Sequence, residues 1–402
     1  MRLQMLLAGC ALISSVGISA VADDKAIFDS DPASTVNQMH RYLYWQNDKA
    51  GINEQERLAP LPLTDSPFLI DGSSPKRAIE LLDAFLALKP EERPKDPVKR
   101  AILQHDLWTV FADTTGPAHP RIIEQADGRM LNSQIFLDLG EGQLKRIQER
   151  RALQKRLVQA MRMVALSERE IRSLPDNLAA VTKARVFAAE FDPKQPERPF
   201  LPPDFFSQSG PWLTVSNTTQ VDRLGGPTHL AIFKGSSAFI VLLRLPGTQK
   251  DTAGFVKKLS AGELAPLPPA TQTALVRRMF LIDDLGRLQP APLTESVQIR
   301  AYQGDHDTGE PFAFMMQRAE LIAGQNKSLQ PMNRKQLSCI SCHARIEGNG
   351  VRSMASLYVG NRQQPGLEVS SLEEQIHRSE EWTKKSYSWG LLQGLWEAGP
   401  SK

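Results

Sequence analysis

A proline-dense break at Arg198-Pro199-Phe200-Leu201-Pro202-Pro203 separates two different sequence periodicities. Proline cannot continue a helix interior and cannot donate within a central strand, so no regular element is expected to cross this point. Before the break, apolar residues recur at helical spacing. After it, they come in short runs bounded by turn signals. Helices first and strands afterwards predict an α+β fold rather than the alternating units of a parallel sheet.

The helical half has recognisable starts and stops. Ser74-Pro75 suits a helix entry, and Ile79, Leu82 and Leu86 then fall on one side. Lys99–Phe111 predicts a second helix with Ile102, Leu103, Leu107 and Val110 buried, and His105 beside Trp108 as a packed helical histidine. Leu144–Leu166 predicts a long helix whose cations, among them Arg150, Arg151, Lys155, Arg156 and Arg162, read as a solvated face, with docking of an acidic partner the other reading. Ser167-Glu168-Arg169-Glu170 has the form of a capping box, and its helix stops at Leu174-Pro175. Residues 23–75 carry prolines at 32, 60, 62, 67 and 75 and predict an extended wrap with one short helix over Met39–Trp45. His40 there reads as a surface histidine, with iron ligation the other reading.

Beyond the break, strands are expected at Trp212–Val215, His229–Phe233, Ala238–Leu245, Leu275–Ile282, Ser296–Tyr302 and Phe312–Arg318. Val297, Ile299 and Ala301 alternate with Gln298, Arg300 and Tyr302, the period of a half-buried strand. Asp283-Asp284-Leu285-Gly286 predicts a hairpin turn, and Thr252–Leu259 a helix crossing the sheet. The middle region is therefore expected to be an antiparallel sheet of about six strands. Residues 323–338 read as a polar loop leading into a helix, and Gly348-Asn349-Gly350 as a tight turn. Ser371-Leu372-Glu373-Glu374 has the capping-box form and opens a C-terminal helix containing Ile376. Trp382, Tyr387, Trp389 and Trp396 follow, as core or as the lining of a cofactor edge. The expected organisation is a leader at 1–22, a wrap at 23–75, helices at 76–198, β structure at 199–322 and a helical C-terminal region at 323–402.

The leader is read from Arg2, the apolar run through Ile18 and the Ala20-Val21-Ala22 cleavage pattern before Asp23-Asp24. Export and a mature N-terminus at Asp23 are expected, placing the protein in the periplasm or otherwise outside the cytoplasm. Leu7-Ala8-Gly9-Cys10 also has the form of a lipobox, so a lipid anchor at Cys10 is the alternative. No later stretch has the ~20 apolar residues of a transmembrane helix. The formal charge of +3 includes Arg2, the one charged side chain of the leader, and gives no reason to expect nucleic acid as a partner.

Cys339-Ile340-Ser341-Cys342-His343 carries the chemistry. Two thiols on one turn can meet two vinyl groups along a porphyrin edge, and the next imidazole falls beneath the iron. A dithiol would want a thioredoxin-like context, and a zinc site would want further ligands. Neither accompanies this motif in the sequence. One covalent haem c, held through Cys339, Cys342 and His343, is the expected cofactor.

At these five residues the chain resembles c-type cytochromes. The resemblance implies thioethers at Cys339 and Cys342 and His343 as proximal ligand. The rest of the chain departs from small cytochromes, with 59 residues after His343 and several hundred before it. It looks like large exported bacterial proteins with one such motif near the C-terminus. Met354 is the candidate sixth ligand, with Met332, Met315, Met316, His377 and His306 as other local donors. Arg345 and Arg352 are placed to pair with haem propionates, because guanidinium matches carboxylate well. An electron carrier working with a redox partner protein is the expectation, with no catalytic residue assigned. The alternatives are a peroxidase-like enzyme with His306 between Asp305 and Asp307 as distal group, and a haem-based sensing or binding module.

Overall fold

The computed structural model describes residues 27–44, 74–115, 122–124, 130–132, 141–217, 230, 233–261, 263, 268–302, 310–332 and 367–399. Chain order within these is α1 (Thr35–Tyr44), α2 (Lys76–Leu86), α3 (Pro97–Asp113), β1 (Ile122–Glu124), β2 (Met130–Asn132), α4 (Glu141–Met163), α5 (Glu168–Arg172), α6 (Asn177–Lys183), β3 (Leu213–Asn217), β4 (Ser237–Arg244), α7 (Gln249–Ser260), β5 (Gln272–Ile282), β6 (Leu288–Ala301), β7 (Glu310–Met316), α8 (Arg318–Ile322), β8 (Leu329–Pro331), β9 (Leu367–Val369), α9 (Leu372–Lys384) and α10 (Tyr387–Glu397). The fold is α+β. β1 and β2 form a small hairpin, and the other seven strands make one antiparallel sheet in the order β8-β7-β6-β5-β4-β3-β9.

α3 is the central helix. Asp96 caps its start by accepting from the Lys99 amide, and Pro97 occupies the first helical position, where a missing N–H costs nothing. Leu103, Leu107, Trp108 and Phe111 are buried on it, but so are Gln104, His105, Asp106 and Asp113. A helix buried on nearly every side must have its polar groups answered from within the protein. Gln104 does this by bonding the Ile282 amide at 2.9 Å and its carbonyl at 2.7 Å, ending β5 as a neighbouring strand would.

One hydrophobic cluster joins α1–α4 to one face of the sheet. Ala238, Ile240 and Leu242 of β4, Val297 and Ile299 of β6 and Phe312 and Phe314 of β7 all belong to it. The alternate residues Leu243 and Leu245 face the other way, against Phe255, Val256 and Leu259 of α7.

The free edge of β4 is covered by a helix. β3 pairs with β4 only at Leu213↔Leu243 and Thr214↔Leu242. Beyond that point Gln375 of α9 bonds the Val241 amide at 2.6 Å and the carbonyls of Val215 and Val241 at 2.8 and 3.2 Å. Ser379 accepts from the Phe239 amide at 3.3 Å, and Thr383 donates to the Gly235 carbonyl at 2.8 Å. Four helical residues advance about 6 Å and two strand residues about 6.6 Å, so Gln375 and Ser379 keep step with Val241 and Phe239, while Thr383 reaches past the start of β4 to Gly235. An otherwise open strand edge is thereby closed.

Several expectations change. Across His229–Phe233 the described residues form no strand; Leu230 is helical and Phe233 begins a turn, both packed on Phe239. Arg318 opens α8 rather than ending a strand. Within 323–338, residues Leu329–Pro331 are a strand that pairs with β7. The described part of the wrap is mainly α1, an ordered helix with Val36, Met39 and Leu43 buried. The Asp283 turn is as expected: Asp283 accepts from the Leu285 and Arg287 amides, and Gly286 takes φ +81°. A Cβ at Gly286 would lie 2.8 Å from Trp396. Both capping boxes, at Ser167 and Ser371, are formed.

Candidate functional site

The residues expected to carry the haem, Cys339, Cys342, His343, Arg345, Arg352 and Met354, lie outside the described residues. So do the leader with Cys10, the Gly348–Gly350 turn and the His306 loop. The described residues stop just past β8, at one edge of the sheet, and resume at β9, at the opposite edge. Six inter-strand gaps of about 4.8 Å separate those edges, a width of about 29 Å in a flat sheet. Of the other local donors, Met315 and Met316 are buried on β7, Met332 is half-buried just past β8, and His377 is exposed on α9. The aromatic tail divides: Trp389 and Trp396 are core and Tyr387 is exposed.

The main concentration of buried ionisable groups among the described residues lies between α1, α3, α8 and the centre of the sheet. Asp106 of α3 is its hub. Arg318 donates to it twice, through Nε at 3.0 Å and Nη2 at 2.6 Å, and His40 Nε2 stands 2.8 Å from Oδ2. The same Arg318 Nη2 donates to the Tyr44 hydroxyl at 2.7 Å, and its guanidinium lies over the Tyr44 ring. His40 and Tyr44 are four residues apart on α1, one turn along the same face, and their rings stack. His40 is 4% exposed, so the surface reading is corrected: its partner Asp106 draws it inward. The packed reading of His105 agrees with its burial.

A second acid sits beside the hub because the sheet is irregular there. Arg277 of β5 pairs with Ser296 of β6, and Arg278 pairs with Thr294, leaving Glu295 as an extra residue. Such a bulge re-aims a side chain and frees backbone groups. Asn177 answers the freed groups by bonding both the amide and the carbonyl of Thr294. Glu295 itself is buried with His105 Nε2 at 3.4 Å and Arg277 Nη2 at 3.5 Å, and it accepts from the Ser237 hydroxyl. Arg277 also lies 4.0 Å over the Phe233 ring.

Two acids and two guanidinium groups balance in charge. Burial acts to raise the Asp106 carboxyl, but Arg318, helped by the adjoining His105 and His40, outweighs it and holds the group far below the usual carboxylate range. Burial alone would lower Arg318; Asp106 more than compensates, so the guanidinium stays firmly charged. Burial pushes the Tyr44 phenol above its usual range, and the hydroxyl remains protonated. With Arg318 covering both oxygens of Asp106, this is an ionic lock joining α1, α3 and α8 rather than a metal cradle. No group of three or more His, Cys, Asp or Glu suited to a metal ion occurs among the described residues.

No family model, curated protein or solved structure shows a match to this chain. Among the described residues no helix is long and apolar enough to cross a membrane. Sequence reasoning missed the ionic lock because its members are far apart in the chain; an acid and a histidine adjacent at 105–106 on an apolar helix were the available signal.

Proposed function

We propose that the chain is an exported electron-transfer protein holding one haem c covalently. The observation that carries this reading is Cys339-x-x-Cys342-His343, a donor set of two thiols and an adjacent imidazole that suits covalent haem attachment. Cys339 and Cys342 would supply the thioethers and His343 the proximal nitrogen. Arg345 and Arg352 would neutralise propionates, and Met354 would be the sixth ligand. When bound, the haem supplies a one-electron Fe(III)/Fe(II) couple, and the protein sets its burial and ligation. The leader at 1–22 supports the same reading, because covalent haem attachment takes place after export.

The test is the absorption spectrum of the reduced, exported protein with and without carbon monoxide. A six-coordinate haem c spectrum that ignores carbon monoxide is the expected result. Rapid carbon monoxide binding would exchange the electron carrier for an enzyme or sensor. A protein with no haem absorption would end the proposal.

A further inference from the structure

β3 and β4 begin as neighbours and then part. They pair at Leu213↔Leu243 and Thr214↔Leu242. Continued in that register, the next opposed residues would be Val215 with Val241, then Ser216 with Ile240, then Asn217 with Phe239. The Thr214 carbonyl accepts from the Ser370 amide on the β9 side of β3, whereas the Val215 carbonyl lies on the β4 side and accepts from Gln375. Val215 and Val241 would therefore form a hydrogen-bonded pair, exchanging two backbone bonds. The Gln375 carboxamide of α9 stands between them instead. Its oxygen accepts from the Val241 amide at 2.6 Å, and its nitrogen donates to the carbonyls of Val215 and Val241 at 2.8 and 3.2 Å. Ser379 holds the next outward amide, Phe239, at 3.3 Å. α9 is thus driven between two strands whose register is already set.

The hold of this helix is polar. The buried residues of α9 are Gln375, Ser379 and Thr383, while its Leu372, Ile376 and Trp382 are half-buried. α10, by contrast, sinks Trp389, Leu392 and Trp396 into the main core. A hydrogen bond handed to another partner changes the free energy little, but withdrawing large apolar side chains into water costs much more. The strands need no repacking to close. Val215 and Val241 already pack in one hydrophobic cluster, so closure turns neither to the other face. Ala238-Phe239-Ile240-Val241-Leu242-Leu243 is also rich in strand-forming residues and lacks glycine and proline. α9 is tethered at both ends, by β9 on β3 and by α10 in the core, so it can lift without leaving the fold.

We propose that α9 is a removable wedge built into the sheet: when it lifts, β3 closes onto β4 through Val215 and Val241. The backbone groups that Gln375 holds apart then bond each other. Because β9 pairs with the far side of β3, closure carries β9 toward β4 as well. The device requires nothing of the haem reading and stands or falls separately.

Through-hydrogen-bond magnetic resonance coupling between the Val241 nitrogen and the Val215 carbonyl carbon, read in the full-length isotope-labelled protein, tests this directly. In Gln375→Ala alone, Ser379 and Thr383 keep the wedge seated, so Val241 stays unpaired and its amide exchanges quickly. In Gln375→Ala/Ser379→Arg the long cation has no room at a position 3% exposed, and α9 must lift. The coupling should then appear, and exchange at Val241 should fall about tenfold from its rate in Gln375→Ala, the factor one hydrogen bond supplies. No coupling and unchanged fast exchange in the double variant would overturn the proposal. So would protection that grows with protein concentration, because a second copy rather than β3 would then be filling the edge. Should the double variant fail to fold, relaxation dispersion of the unsubstituted protein decides. One exchange process shared by the amides of Val215, Phe239 and Val241 is expected, and flat profiles would overturn the wedge.

Discussion

Replacing Arg318 by methionine removes the counter-charge of the hub while keeping much of the side-chain volume. The substitution deletes both donations to Asp106, at 3.0 and 2.6 Å, and the one to Tyr44 at 2.7 Å. Asp106 is left 1% exposed with His40 as its remaining close partner. Water cannot reach the stranded carboxylate without opening the packing between α1 and α3. Breaking one side of a buried pair in this way costs about 3–5 kcal/mol. A typical domain is stable by only about 5–15 kcal/mol, so the loss would be a large fraction of the total. Urea unfolding followed by fluorescence and circular dichroism would report it as a lower midpoint at unchanged slope. The companion Asp106→Leu/Arg318→Met removes both charges and should recover part of the loss, so the double substitution costs less than the two singles added. A single-substitution cost below about 1 kcal/mol, the range of exposed pairs, would refute the reasoning. So would simple additivity in the double variant.

Three further outcomes are expected. The folded Asp106 carboxyl is depressed, so its contribution is complete above the unfolded value of about 3.9 and is lost as pH falls below it. The stability gap between the unsubstituted protein and Asp106→Asn should therefore narrow on acidification below about pH 4 in urea titrations; a gap that widens would reverse the sign argument. Gln375→Ala strands the Val241 amide and carbonyl at the edge of β4, at a cost of about 1–3 kcal/mol, with faster hydrogen exchange at Val241. Exchange at Val241 that does not change would show that α9 does not close that edge. Met354→Ala should lower the haem potential and admit carbon monoxide to the iron; an unchanged spectrum would remove Met354 as a ligand and turn attention to His377 or an open site.

Local patterns reveal the elements well where one residue's neighbours in sequence decide its fate. Pro97 and Asp96 start α3, Ser371 starts α9, and Asp283 with Gly286 turns β5 into β6. They reveal little where the deciding partner is distant. His40 sits on a short aromatic helix that looks superficial until Asp106, 66 residues on, is brought beside it. Arg318 looks like the end of a strand, yet its guanidinium is committed to an acid 212 residues earlier. Glu295 belongs to a strand-like run, but its inward aim comes from a bulge that is defined only by pairing with Arg277 and Arg278. β8 and β9 are three-residue strands, too short for alternation to show, and exist because β7 and β3 offer them an edge. Leu230 and Phe233 show the converse, an apolar run whose hydrophobicity serves packing on Phe239 instead of a strand. The proposed haem residues stand together as a motif, because covalent attachment would impose a spacing within five residues. The ionic lock imposes none.

Covalent attachment at the motif is tested most directly by the mass of the peptide containing Cys339 and Cys342, taken from exported protein after acid-acetone extraction. The account predicts that this peptide carries the added mass of one haem and that no haem enters the organic phase. Haem released to the solvent, or a peptide with two unmodified thiols or with zinc in the purified protein, would contradict it.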